Sequence, residues 1–406
     1  MMIGKGKFKI ENFMVLLLLW TTILVQSPGK EIIALGDEDG IGALIYPGQA
    51  KEGPDGNIYV YDQKDAFIKI YSPEGKFLKV IGGSAEGPGF IKRTDGVNIG
   101  FTPESNLFFT EYFGGHPWIT IMALDGKFHN TLHLKVNAAY FGVENAISLP
   151  DGGFLIEFAF IGESQKTKKY FLQTSPKELC RIDSKGQIIS SIRKTSYFTH
   201  ISKLERGANL EIPFTPLFKW CPFRNDTIIF TDGVDQYLTV LNYKGDLINK
   251  IKILIPEAQK VTGKDLDKWR EERKKNFLKT QRGVEWYSTY GNVIEEYKDS
   301  IYPKKPILED ITATPGGNIL ITGTWNEKKS GRNFWLIDEN GKLQAEIVSD
   351  IISVSISRNF IFFIKTDTDD EDNEVAYCFK RNGEEHKDLL SMTDRLVLIK
   401  STNAKE

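Results

Sequence analysis

The stretch Gly53–Leu78, GPDGNIYVYDQKDAFIKIYSPEGKFL, decides the fold. Pro54-Asp55-Gly56-Asn57 is a turn signal, and Ile58-Tyr59-Val60-Tyr61 after it is rich in β-branched and aromatic side chains. A polar loop, Asp62–Ala66, leads to a second strand, Phe67–Tyr71. Ser72-Pro73-Glu74-Gly75 then supplies the dihedrals of a tight turn, and Lys76–Ile81 begins a third strand. A meander of this kind cannot bury its own faces, so copies of it are expected.

The copies are present. A turn glycine stands before an outer strand at Gly75, Gly126, Gly186, Gly245, Gly341 and Gly383, and subtracting neighbouring positions gives 51, 60, 59, 96 and 42 residues. A four-stranded propeller blade takes about 40–50 residues, so the longest gap hides an insertion. Matching inner strands lie upstream at Asn57–Asp62, Asn106–Glu111, Gly153–Glu157, Thr227–Asp232, Asn318–Gly323 and Asn359–Ile364. Their near-continuous apolar runs imply burial on both faces. The prediction is an all-β, six-bladed β-propeller over 30–400. Glu31–Leu35 closes the ring as an edge strand of the last blade.

Three stretches depart from the pattern. Gly162–Pro176 and Arg193–Leu217 read as long loops. Residues 256–306 form an insertion between blades four and five, in which Asp265–Lys279 reads as a helix capped by Thr262 and Asp265.

Tyr46-Pro47, PDGNIYVYD, FIKIYSPEGKFLKVIG and GPGF together resemble the NHL-type six-bladed propellers, most of all a group of exported bacterial propellers of mostly unassigned activity. The resemblance spans about 31–395. It implies a six-bladed ring without implying one function, since such rings serve binders, lyases and lactonases.

Residues 1–29 stand apart. Lys5, Lys7 and Lys9 precede an apolar run from Phe13 to Val25 that only Thr21 and Thr22 interrupt, ended by Pro28-Gly29. That is the pattern of a signal peptide, with an uncleaved anchor as the alternative and the sole membrane attachment expected. Export to a periplasmic or extracellular space follows. The net charge of −2 offers no footprint for nucleic acid. Cys180, Cys221 and Cys378 have no close pair and read as small buried hydrophobes.

The loops joining second and third strands are where ligands are expected. Glu111–Trp118 brings Tyr112, His116 and Trp118, Thr324–Arg332 brings Trp325 and Arg332, and the insertion brings Trp286, Tyr287 and Tyr290. These side chains either line a cleft for a peptide, glycan or protein partner or pack the helix onto the ring. His129 and His133 belong to an outer strand, His200 to a loop and His386 to the C-terminal region, so one placed histidine makes no zinc site.

No cofactor is required by this reading. An alternative places calcium or magnesium on oxygen ligands near the axis, from Asp95, Glu144 and Asp310 with Asn98 and Asn145, in a lactonase-like hydrolase or lyase. The acidic run Asp367–Glu374 reads as a solvated hairpin tip.

Overall fold

Each turn glycine described takes a positive φ, from +79° at Gly186 to +96° at Gly126, which is why the sequence repeats glycine there. The computed structural model describes residues 32–390 except 37–39, 85–86, 88, 92–95, 114–115, 137–139, 161, 167–170, 203–209, 225, 297–301, 327–329, 367–373, 382–384 and 386. Gly383, His386, Asp95 and most of the acidic run lie outside the described residues, as does the N-terminal apolar segment.

The chain is an all-β propeller. Its described strands form six antiparallel sheets. In the first, Pro47–Glu52, Ile58–Asp62, Phe67–Tyr71 and Phe77–Gly82 follow one another from axis to rim. The second, fourth and fifth sheets repeat this order, starting at Ile99, Lys219 and Leu308. In the last sheet Ser353–Ile356, Phe360–Thr366 and Glu374–Lys380 are completed by Ile32–Ala34, whose Ile33 pairs with Cys378.

Six clusters of buried side chains each join one sheet to the next. Strand alternation explains them. Tyr59 and Tyr61 face the second sheet, while Ile58 and Val60 face the last, where they meet Leu35, Phe360 and Cys378. The last cluster therefore joins the end of the chain back to its start. All three cysteines are free and buried.

The inner strands of the repeat are second in each sheet, as their following loops imply. Another strand precedes each of them, and the first strands of neighbouring sheets lie against one another around the axis. Side chains cross between them: Gln49 Oε1 accepts from Ile99 N at 2.8 Å, and Asn98 Nδ2 donates to Glu144 O at 3.1 Å. Lys51, half-buried on the same wall, makes no ion pair among the described residues, and burial lowers its ammonium pKa from 10.5 to about 8.

That depression has a stability consequence with a definite sign. The folded pKa lies below the unfolded one, so a penalty of about 3 kcal/mol is fully present below pH 8. It fades as pH rises from about 8 towards 10.5. Lys51→Met is expected to abolish this rise in urea-unfolding free energy; an unchanged pH slope overturns the assignment.

The third sheet differs from the rest. Its strands Phe171–Ile182 and Ile188–Ser202 run far past the blade and pair throughout, and Ser164–Lys166 and Leu210–Glu211 join them. The two predicted loops are thus largely ribbon, and His200 lies on a strand. The insertion folds as two helices, α1 (Gly263–Phe277) and α2 (Gln281–Glu296). Thr262 and Asp265 form a reciprocal capping box, and Thr262 N donates to Asp265 Oδ2 at 2.8 Å.

Both helices contribute to one cluster with the ribbon. Leu266, Trp269, Phe277 and Trp286 meet Ile201, Leu210 and Phe198 there.

Candidate functional site

One face of the ring carries the turns between second and third strands and the connections that lead into each first strand. Pairing of Pro47 with Asp62 puts residues 40–46 at that end, and the bond from Gly83 N to Ala66 O brings the following connection, with Phe90, to the same end. The extended ribbon of the third sheet and the α1–α2 pair also rise from it, since the ribbon lengthens beyond Phe160 and the insertion leads from Lys252 to Leu308.

This loop face holds every exposed aromatic side chain among those described. Tyr46 is 44% exposed, Phe90 36%, Tyr237 45% and Trp325 46%. Tyr46 precedes the first strand of its sheet, Tyr237 opens a third strand, and Trp325 sits at the tip of the fifth-sheet hairpin, paired with Arg332. Sequence reading found only Trp325. Position relative to the glycine ruler is the signal that could have found the others.

Trp325 and Arg332 form one unit. The Arg332 guanidinium lies 5.7 Å from the centre of the Trp325 ring, and its Nε donates to Glu309 Oε2 at 2.6 Å. Glu309 lies on the first strand of the same sheet, so the arginine holds the indole against a fixed anchor. Such a pair offers a partner a flat platform whose rotamers are already restricted.

The other named residues sit differently. Trp118 is half-buried, and its Nε1 donates to Glu111 Oε2 at 2.9 Å, where Glu111 is 3% exposed. Trp118 thereby satisfies a buried carboxylate. Tyr112 pairs with Pro117, and His116 is exposed at the hairpin end. Trp286 stacks on Phe277, with ring centres 4.2 Å apart and planes at 9°, and so packs α2 on α1. His129 and His133 lie on the outer strand Phe128–His133.

The axial oxygen ligands do not make a cation cage among the described residues. Glu144 Oε2 and Glu157 Oε1 both lie 3.2 Å from Lys177 Nζ, and Trp220 Nε1 donates to Glu157 Oε2 at 2.7 Å across the seam with the fourth sheet. Burial pushes the Glu157 carboxyl up, and Lys177 works against that rise. Burial opposes the Lys177 ammonium too, but the two carboxylates more than offset it.

Asp310 lies on the first strand of the fifth sheet, reached by solvent yet enclosed by protein. Burial raises its carboxyl, with Lys219 opposing. Asn98 spends its amide on the backbone of the third sheet. No cluster of three or more His, Cys, Asp or Glu suited to a metal occurs among the described residues, from which Asp95 is missing. Lysine-matched carboxylates serve charge balance and are poor ligands for a hard cation.

Glu157→Gln keeps an acceptor for Trp220 while removing the buried charge. Because the folded pKa is raised, the wild-type penalty is absent in acid and appears as pH rises through the carboxyl's titration. The variant is expected to match wild type at low pH and to exceed it at neutral pH. A stability difference that does not change with pH overturns this.

Comparison with known proteins returns a likeness of form. A profile for FMR1-interacting protein 1 (NUFIP1) matches residues 247–282, a stretch too short to place the chain in that family. No curated protein matches. Among solved structures, the exported-protein candidate BF0058 of Bacteroides fragilis is 12% identical with a TM-score of 0.47, over 86% of this chain and 94% of that one. Virginiamycin B lyase of Staphylococcus aureus is 12% identical with a TM-score of 0.43, over 86% of this chain and 99% of that one. U3-55K is 11% identical with a TM-score of 0.44, over 86% and 98%.

Proposed function

We propose that the chain is an exported, NHL-like six-bladed propeller that binds a peptide, glycan or protein partner on its loop face. The carrying observation is the gathering of Tyr46, Phe90, Tyr237 and Trp325, each at least about a third exposed, at one end of the ring. Exposed aromatics beside a fixed arginine are the usual anchors of recognition surfaces. The ribbon and helices raise that face on one side. The basic start and apolar run of residues 1–29 support export, by cleavage or by retention as an anchor.

Trp118 is unsuited to a binding test because it satisfies Glu111. The double variant Trp325→Ala, Tyr46→Ala removes two exposed rings without touching a buried polar group. Retention on glycan and peptide arrays is expected to fall at least about tenfold, at an unchanged unfolding midpoint. Undiminished retention refutes the choice of face. Stoichiometric calcium or magnesium in the purified protein, with thermal stabilisation on adding it, would instead support the lactonase-like alternative through Asp95, Glu144 and Asp310.

A further inference from the structure

The insertion between the fourth and fifth sheets ends in a surface that the loop-face reading does not use. Its base is closed by backbone bonds, Val261 N donating to Pro303 O and Lys305 N to Gln259 O, both at 2.9 Å. α1 runs away from that base and α2 runs back, with Phe277 stacked on Trp286 between them. The 15 residues of α1 span about 22 Å, so residues 274–284 form the far end of the hairpin.

That end is basic and partly apolar. Arg273 to Val284, RKKNFLKTQRGV, contains no acid. Arg273 is held by Glu211, and the Lys274 ammonium lies 5.6 Å from the centre of the Tyr287 ring. Lys275, Lys279 and Arg282 are exposed and make no ion pair among the described residues. Lys274, Lys275, Leu278 and Lys279 line a groove of about 380 Å³ in which Glu271 is the one acid. Glu272 is held by Lys268, back towards the base. Lys274, Lys275, Lys279 and Arg282 therefore stand against Glu271 and Glu285, which flank the stretch on either side. Within it Leu278 and Val284 are each 45% exposed.

A solvated helix face matches its cations with acids one turn away. Here positive charge is in surplus around two exposed aliphatic side chains, on a chain whose net charge is −2. We infer that the far end of the α1–α2 hairpin docks on the surface of an anionic phospholipid bilayer. Lys275, Lys279 and Arg282 meet headgroup phosphates, and Leu278 and Val284 reach the acyl boundary. A bilayer takes charge and apolar side chains together and asks for no cleft. Nucleic acid fits less well, because Phe277 and Trp286 are stacked on each other and offer no free ring to a base.

The test follows the full chain on vesicles of phosphatidylcholine, alone or mixed with phosphatidylglycerol, by co-sedimentation and hydrogen exchange. The N-terminal lysines and apolar run are common to wild type and variants, so the readout is the change on substitution at the hairpin. Wild type is expected to prefer the anionic vesicles, less so at high salt, and to gain amide protection over residues 274–284 on them. Lys275→Glu, Lys279→Glu is expected to lower partition onto anionic vesicles at least about tenfold at an unchanged unfolding midpoint. Leu278→Ser, Val284→Ser is expected to weaken it several-fold. No anionic preference in wild type, no protection over 274–284, or partition unchanged in Lys275→Glu, Lys279→Glu each overturns the inference. Partition undiminished in Leu278→Ser, Val284→Ser also overturns it, in favour of a soluble acidic partner. The variant Trp325→Ala, Tyr46→Ala is expected to bind vesicles as wild type does; a loss there assigns the contact to the loop face and overturns the inference too.

Discussion

Replacing Lys69 by methionine is expected to lower folding stability by about 3–5 kcal/mol, the usual consequence of removing one partner of a buried ion pair. Lys69 is 1% exposed, and its ammonium lies 2.8 Å from Asp62 and 2.7 Å from Asp65. Asp62 is fully buried and also accepts from Ile45 N and Tyr46 N, at 2.8 and 3.0 Å. Methionine keeps the apolar stem and deletes the charge, leaving Asp62 as an uncompensated anion in the core. The loss therefore reaches the connection that carries Tyr46. Urea unfolding measures the effect directly, and a change below about 1 kcal/mol contradicts the assigned role.

A comparable loss is expected at the closure of the ring. Leu35 is 2% exposed and packs with Ile58, Val60, Phe360 and Cys378, between the first and last sheets. Leu35→Asp places a charge there with no partner to receive it. A penalty of about 4 kcal/mol or more is expected, since burying an unpaired charge is among the few single changes of that size. Hydrogen exchange should localise it: amides of Glu374–Lys380, which pair with Ile32–Ala34, are expected to lose protection first. Uniform loss over all sheets would show that closure is not a separable step.

Much of this architecture is legible in the chain because its signals are local. A turn that needs positive φ demands glycine, so Gly75, Gly126, Gly186, Gly245 and Gly341 mark the rhythm. A strand pressed between two sheets must be apolar on both sides, so Ile58–Asp62 and Leu107–Phe113 stand out. The first strands do not, because an axial strand such as Pro47–Glu52 (PGQAKE) faces a solvated channel and carries polar residues. For the same reason the ribbon of the third sheet looked like loop. Its ladder is held by backbone hydrogen bonds, and half-buried residues such as Gln173, Thr174 and Ser175 show no alternation.

The candidate site was less legible still. Trp118 and Trp325 are equivalent as letters, yet one indole satisfies a buried glutamate and the other faces solvent. Lys69 sits in an apolar strand whose pattern gives no hint that its charge is spoken for. Such distinctions depend on partners far along the chain. α1 was readable from its cap, whereas α2, beginning after Thr280, carries no acidic residue in its first turn to mark where it starts.

The pairing of Ile33 with Cys378 also sets a schedule. Ile32–Ala34 must wait for the much later Glu374–Lys380 before the final sheet is whole, so the ring has a contact order far above that of any single meander. Five sheets can form in sequence as the chain emerges, while Ile32–Ala34 waits for Glu374–Lys380 to be made. In that interval Ile32–Ala34 has no partner strand and is open to strands of other molecules. A chain crossing a membrane before it folds would meet this problem on the far side, with its opening residues already present and free to serve as the latch.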